Sequence, residues 1–280
     1  MTLTAPFDVH GPRAPASPVV LSVPHAGRDY PPAMLSALRL PLARIAALED
    51  RHVDAVALAA RGERTAIVAR RARAWIDLNR AEHERDHRID DGANPAAAPL
   101  LSAKVRGGLG LVPRQVGGAE IWRRRLGADE VMARIAADHR PYHAAVREML
   151  SAARARFGVA ILLDIHSMPP LGGRGAARVV IGDRFGTAAG GRFVAPVEAL
   201  ARAAGHPVAI NTPYAGGHVI ERHGAPAAKI HAVQLELDRT LYLDHALNAP
   251  GAGFAKTVAL VRAIAEALTD EAVPLAPAAE

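Results

Sequence analysis

The sequence contains no cysteine. That absence excludes a disulfide framework, thiolate metal sites and a cysteine nucleophile together. It fits a reducing compartment, so a cytoplasmic protein is expected. Long hydrophobic runs are also missing: no apolar stretch approaches the ~20 residues of a membrane span, and the run from Val159 to Leu163 stops at Asp164. The segment Met1 to Val20 has no apolar core of signal-peptide length and carries Pro6, Pro12, Pro15 and Pro18, so no export signal is expected. Lysine is scarce, with only Lys104, Lys229 and Lys256, although the net charge is +6. The basic charge is therefore arginine, and it is scattered rather than gathered into a patch. Aromatic residues make up only 4% of the chain, too few for a base-stacking platform. Neither nucleic acid nor membrane is an expected partner; an anionic small molecule suits an arginine-rich chain better. The oligomeric state is not legible.

What is present is ordinary globular material: 280 residues, half of them hydrophobic, enough to bury a sizeable core. Strands are expected at Val19–Val23, Thr65–Val68, Trp75–Leu78, Val159–Ile165, Arg178–Gly182, Val208–Asn211 and Ile230–Leu237. Helical spacing covers Ala33 to Leu38, Glu49 to Ala60, Ile121 to Phe157 in one or two pieces broken near Pro141, and about Ala255 to Leu268. A Pro- and Ala-rich tail expected to fray follows. Residues Ala81 to Gly118 lack periodicity and read as a long surface excursion of the kind that forms lids. Strands alternating with helices and no separating linker argue for a single α/β domain, residues 1–280, with a core over about 19–270. Its central sheet is expected to be mixed, mostly parallel and flanked by helices.

Thirteen histidines make any one of them weak evidence. Two stand out by position. His25 directly follows the strand Val19–Val23, and His166 follows Val159–Leu163. Active sites of open α/β sheets lie beyond the carboxyl ends of the strands, so these two imidazoles are placed to converge. A hydrolytic zinc site takes three protein ligands, commonly two histidines and a carboxylate, and keeps a position for water. Asp29, Glu49, Asp50 and Asp54 are the candidate carboxylates; the bland reading of Glu49-Asp50 is a capped, solvated helix start. Asp164, two residues before His166, shares its face and can orient an imidazole or cap a loop. Asn79-Arg80 at a strand end suits a carboxylate ligand, or an ordinary surface ion pair. In His231–Asp238 the polar Gln234, Glu236 and Asp238 alternate with Val233, Leu235 and Leu237. This is the pattern of a half-exposed edge strand, and equally of a strand that points a general base into a cleft. The turn-rich Asn211 to His218 segment offers Tyr214, Gly216 and Gly217 to a ligand, or is a plain connection.

Together these pieces resemble the N-formylglutamate amidohydrolase family. The resemblance is carried by Val23-Pro24-His25-Ala26-Gly27-Arg28-Asp29-Tyr30-Pro31, by Glu49-Asp50-Arg51-His52-Val53-Asp54 and by Asp77-Leu78-Asn79-Arg80. It continues through Arg140-Pro141-Tyr142-His143, Asp164-Ile165-His166-Ser167-Met168-Pro169 and Gly182-Asp183-Arg184-Phe185-Gly186. It ends in Asn211-Thr212-Pro213-Tyr214-Ala215-Gly216-Gly217 and His231-Ala232-Val233-Gln234-Leu235-Glu236. The resemblance implies a zinc-carboxypeptidase-like (phosphorylase/hydrolase-like) fold, related to aspartoacylases, and hydrolysis of an N-formyl or similar N-acyl amino acid. It implies Zn2+ on His25, His166 and an acidic third ligand at Asp50, with Glu49 a close rival. Those zinc relatives carry a glutamate three residues after the first histidine, where this chain has Arg28. Asn79 and Arg80 resemble the pair that holds the substrate carboxylate, with Arg174 and Arg222 as further candidates for that clamp, and Glu236 resembles the water-activating glutamate. The alternatives are hydrolysis of another N-acyl amino acid, amide or small peptide, and a zinc protein that only binds carboxylates.

Overall fold

Short aliphatic runs form one seven-stranded sheet. The computed structural model describes residues 5–96 and 102–272, so the expected fraying of the C-terminal tail lies outside the described residues. The strands are β1 (Phe7–His10), β2 (Val19–Val23), β3 (Ala66–Ala69), β4 (Gln115–Val116), β5 (Ala119–Glu120), β6 (Ala160–Met168), β7 (Val179–Gly182), β8 (Val208–Ile210) and β9 (Ile230–Asp238). The sheet order is β1-β3-β2-β6-β9-β7-β8, and β4 with β5 forms a separate antiparallel pair. Strands β2, β6 and β9 run parallel; β7 is antiparallel to β9 and parallel to β8. The sheet is thus mixed and mostly parallel, as the alternation of elements suggested. Every residue of β2 and β6 is buried, which is why these strands read as continuous runs rather than as alternation.

The helices are α1 (Pro32–Ala37), α2 (Leu42–Ile45), α3 (Val53–Ala60), α4 (Ala103–Arg106), α5 (Ala128–Arg134), α6 (Arg140–Phe157), α7 (Gly191–Ala203), α8 (His218–His223) and α9 (Phe254–Ala272). Among the described residues none is long and apolar enough to cross a membrane. The α/β domain groups into two compact units, one of residues 5–8, Pro24–Asp50 and Val68–Ala145, the other of Val9–Val23, Arg51–Ile67 and residues 146–272. In the second unit α3 and α9 pack on each other and on β2 and β6, while α7 packs on α9 and β7. The stripe Leu260, Val261, Ile264, Ala265 and Leu268 on α9 is buried, at the i, i+3, i+4 spacing that makes one apolar face. Truncating such a residue, Ile264→Ala for example, costs roughly 2–5 kcal/mol.

The first unit is organised by buried polar groups. Arg134 is buried, with its guanidinium 3.7 Å from the Trp75 ring centroid and 5.2 Å from that of Trp122. Its Nη1 donates to the Trp75 carbonyl at 3.0 Å and its Nη2 to Glu130 at 2.5 Å. A π-helical turn, Ile135–His139, joins α5 to α6.

Several expectations are corrected. Trp75–Leu78 is not a strand but a series of turns, because its polar groups bond locally and to residue 111: Trp75 N–H to Ala72, Asp77 N–H to Leu111 and Arg80 N–H to Asp77. Glu49 and Asp50 precede α3 rather than form its first turn, since His52 breaks the chain direction with φ of +59°. The helical span expected from Ile121 begins only at Ala128, and near Pro141 the α-helix is interrupted rather than ended: the π-helical turn just before it shifts the hydrogen-bond ladder, with the Arg140 N–H bonded to the Ile135 carbonyl. The strand β9 lies between β6 and β7 and is buried, so its polar alternation is not that of an edge. Residues 81–96 and 102–118 do not simply run over the surface: Ile89, Asp90, Val105, Leu111, Val112 and Arg114 are buried there. Residues 97–101 of that segment lie outside the described part.

One group gives the fold a pH signature. His223 on α8 is buried, and burial, with Arg222, His218 and Arg147 adding to it, pushes its imidazole down to about 3. Below its unfolded value of about 6.5 the unfolded chain takes up a proton that the folded chain refuses, so stability is lost as pH falls through that window. Between pH 7 and pH 5 this amounts to on the order of 2 kcal/mol. The Tm of the His223→Gln variant, followed by calorimetry over the same range, should depend less steeply on pH than that of the parent.

Candidate metal centre and substrate site

His25 leaves the end of β2 and is buried at 2% exposure. Its Nε2 lies 2.7 Å from Asp77 Oδ1. Asp77 is fully buried, which alone would raise its pKa, but the Arg73 guanidinium, with His25 and Arg80, holds it well below the usual carboxylate range. An ionised carboxylate only accepts, so Nε2 carries the proton that is donated to it, and in the neutral imidazole the lone pair is then on Nδ1. The Asp77 carboxylate also receives Arg73 Nε at 2.9 Å and the Asn79 N–H at 2.8 Å. On the other side of the ring, Nδ1 is 3.6 Å from Asp50 Oδ2. That is long for a hydrogen bond. It is close to the ~3.3 Å separating two ligands bonded at ~2.0–2.2 Å to one tetrahedral ion. The Asp50 N–H donates to the His25 carbonyl at 3.0 Å, which fixes the two backbones together.

The other acidic candidates divide clearly. Asp29 is paired with Arg71. Asp54 sits half-buried in the first turn of α3, and Glu49 is buried beside Asp50 in sequence. Gly27 explains its place in the Pro-His-Ala-Gly segment, since a Cβ there would come within 2.1 Å of the Arg71 carbonyl. The residue following His25 by three, Arg28, is exposed.

His166 repeats the arrangement in the second unit. Its Nε2 lies 2.8 Å from Asp164 Oδ2, and the Ser22 hydroxyl donates to Asp164 Oδ1 at 2.6 Å. Both histidines are therefore backed at Nε2 by a buried aspartate, which orients the ring and strengthens Nδ1 as a ligand. Register aligns Ser22 with Asp164, Asp164 with Gln234 and His166 with Glu236 on adjacent parallel strands. Residues two apart in a strand share a face, so Asp164, His166, Gln234 and Glu236 form one polar patch.

The turn holding Asn79 and Arg80 is gripped from α6 and the π-helical turn. His139 Nε2 is 2.8 Å from the Arg80 carbonyl and His143 Nε2 is 2.9 Å from the Leu78 carbonyl. Arg80 is 4% exposed; its Nε donates to Leu109 at 2.9 Å and its Nη1 to Asn79 at 2.6 Å. Its Nη2 is buried without a hydrogen-bond partner among the described residues. A buried guanidinium N–H left this way is suited to an anion. Tyr214 is half-buried in the loop before α8, Gly217 is the cap of α8, and Gly216 has φ of +111° with the Ile220 side chain where a Cβ would stand. Arg174 and Arg222 are exposed.

Sequence reasoning assigned no role to Asp77, Ser22 or the His139–His143 grip. The signal for Asp77 lay in its own segment, two residues before Asn79. Two sets of residues among those described carry donor atoms of the kinds that bind a metal ion: His25, Asp50 and His166, and His139, His143 and His218.

Strand-end histidines backed by aspartates, with a glutamate on the neighbouring strand, are the equipment of an α/β amidohydrolase. The chain belongs to the N-formylglutamate amidohydrolase family, whose model matches residues 17–243. It is 29% identical over 262 residues to the N-formylglutamate deformylase of Pseudomonas aeruginosa, covering 90% of this chain and 91% of that one. The Pseudomonas putida N-formylglutamate deformylase is 29% identical over 237 residues, covering 81% and 82%. The crystal structure of an N-formylglutamate amidohydrolase from Ralstonia eutropha JMP134 superposes with a TM-score of 0.84 at 34% identity, over 96% of this chain and 98% of that one.

The aspartate behind His166 has a measurable consequence. Asp164→Asn removes its charge and should weaken binding of a divalent metal by roughly 10- to 100-fold with the fold retained. Competition against a chromogenic chelator, alongside circular dichroism, checks this.

Proposed function

We propose that the protein is a zinc-dependent hydrolase that cleaves the amide bond of N-formyl-L-glutamate, or of a closely similar N-formyl or N-acyl amino acid. The products are formate, or the corresponding acid, and the free amino acid. The zinc ligands in this reading are His25, Asp50 and His166. The observation that carries it is the shared setting of the two histidines: each has Nε2 on a buried aspartate, which in the neutral imidazole puts the metal-binding lone pair on Nδ1 of both. A set of two neutral imidazoles and one carboxylate, with no thiolate, fits a hydrolytic zinc site. The 3.6 Å between His25 Nδ1 and Asp50 Oδ2 supports Asp50 as the third ligand.

When bound, the zinc would acidify a water molecule and polarise the scissile carbonyl. Glu236 takes the proton as the water oxygen bonds to the formyl carbon, and returns it to the amide nitrogen as the C–N bond breaks. Arg80 and Asn79 receive a carboxylate of the substrate, with Arg80 Nη2 as the waiting donor. Tyr214, Gly216 and Gly217 line the substrate from the loop before α8, and Arg174 and Arg222 are left for a second carboxylate. Histidine degradation is one setting in which N-formylglutamate arises, and a cytoplasmic location belongs to the same reading.

Formate release from a panel of N-formyl, N-acetyl and peptide substrates tests the proposal. Activity should be greatest on N-formyl-L-glutamate or a near relative, should vanish with a chelator and should return with zinc. Glu236→Gln should lower kcat by about 10²–10⁴-fold while zinc content stays that of the parent; near-full activity in this variant would remove Glu236 from its role. Arg80→Lys trades a planar fork for a point charge, so KM should rise by about tenfold or more with a smaller change in kcat.

A further inference from the structure

Glu236 does not stand alone on β9. Gln234, two residues earlier, is 3% exposed and its Nε2 donates to Glu236 Oε1 at 2.8 Å. The Oε1 of the same amide accepts the Gly217 N–H at 2.9 Å. A backbone N–H can only donate, so the amide must turn its oxygen to Gly217 and its NH2 to the carboxylate. The orientation is chemically forced.

The other end of this link is fixed as well. Gln234 is in register with Gly182 on β7, and a Cβ at Gly182 would lie 2.8 Å from Ala215 C and Gly216 N, so the loop backbone crosses the sheet where a side chain is missing. Arg184 N–H donates to the Ala215 carbonyl at 2.8 Å. Asn211 Nδ2 donates to Asp183 Oδ1 at 2.7 Å, and the Asp183 N–H returns to Asn211 Oδ1 at 3.1 Å. The loop is tied to Asp183 and Arg184, the residues just after β7, at both ends of residues 211–215, and among the hydrogen bonds described for it Gly217 then meets β9 only through the Gln234 amide.

We propose that Gln234 is a positioning residue for the reaction: it links residues 211–217 to Glu236 and holds the carboxylate in one rotamer through Oε1. This rests on Glu236 acting as the base. Gln234 touches neither substrate nor water in this scheme; it acts through Glu236, and it makes the placement of the substrate loop and of the base a single variable.

Gln234→Glu is the discriminating variant. It keeps shape and an acceptor for Gly217 N–H but faces Glu236 with a carboxylate oxygen in place of a donor. In formate-release assays on N-formyl-L-glutamate with the zinc-loaded enzyme, kcat should fall by about 10²-fold, with KM and zinc content little changed. In a Glu236→Ala background the same change should have no further effect, because its route to the reaction is gone. If Gln234→Glu keeps the parent kcat, or if the two losses multiply, Gln234 is a loop anchor only and the inference falls. Should Gln234→Glu fail to fold, Gln234→Met in the same cycle decides by the same two criteria. An active Glu236→Ala enzyme overturns the base assignment itself and takes this inference with it, an outcome distinct from a Gln234 failure beside an inactive Glu236→Ala.

Discussion

A carboxylate with no exposure to water has to be neutralised by its neighbours, and at Asp77 the neutralising groups order much of the first unit. Arg73, the His25 imidazole and the Asn79 N–H all converge on its two oxygens. Ionised and fully buried, Asp77 fixes the tautomer of His25, the start of the Asn79-Arg80 turn and the position of Arg73 at once. Removing such a partner from a buried charge network leaves uncompensated charge, which is why a network of this kind holds one arrangement rather than several. The turn it anchors is then closed from the far side by His139 and His143, whose rings hold the carbonyls on either side of Asn79.

The second unit solves the same problem with a regular sheet. Parallel strands buried on both faces admit polar residues only where hydrogen-bond partners lie in register. Ser22, Asp164 and Gln234 make one such row, and His166 with Glu236 makes the next. Each polar atom named there is matched across a strand or along it: Ser22 to Asp164, Asp164 to His166, Gln234 to Glu236. These bonded polar side chains are thereby gathered in the carboxyl-terminal halves of β6 and β9, while Ile161, Leu162, Leu163 and Val233 supply the packing that holds them.

Much of this was legible in the residues. The core strands were marked by aliphatic runs, and His25 and His166 by falling where such runs end. What escaped the sequence was structure made without periodicity. Trp75–Leu78 looks like a strand because Trp75, Ile76 and Leu78 make a short apolar run, yet Asp77 and Trp75 are held by side-chain and loop contacts that leave no periodic trace. The β9 alternation was readable, but its cause was not: a central strand tolerates Gln234 and Glu236 because they bond to each other and because Gln234 also accepts from Gly217, 17 positions away. The segment from Ala81 hides its burial because ion pairs among Arg85, Asp90, Asp86 and Arg114, rather than apolar residues, carry part of its interior.

In the proposed reaction the buried Nη2 of Arg80 gives such non-periodic construction a use. Leaving one guanidinium N–H without a partner costs roughly 1–3 kcal/mol in the ligand-free protein. A flexible arginine would avoid that cost by turning toward water. Arg80 does not, because its other donors are committed to the Leu109 and Asn79 carbonyls and its own carbonyl is held by His139. A substrate carboxylate bound there, as proposed, would meet a donor already desolvated and already oriented, and the cost carried by the ligand-free protein would be recovered on binding rather than added to it. In the proposed reaction the same rigidity serves orientation: Asp77 lies between His25 and the Asn79-Arg80 turn, so a substrate carboxylate held by Arg80 would be referenced to the same buried charge that fixes a zinc ligand.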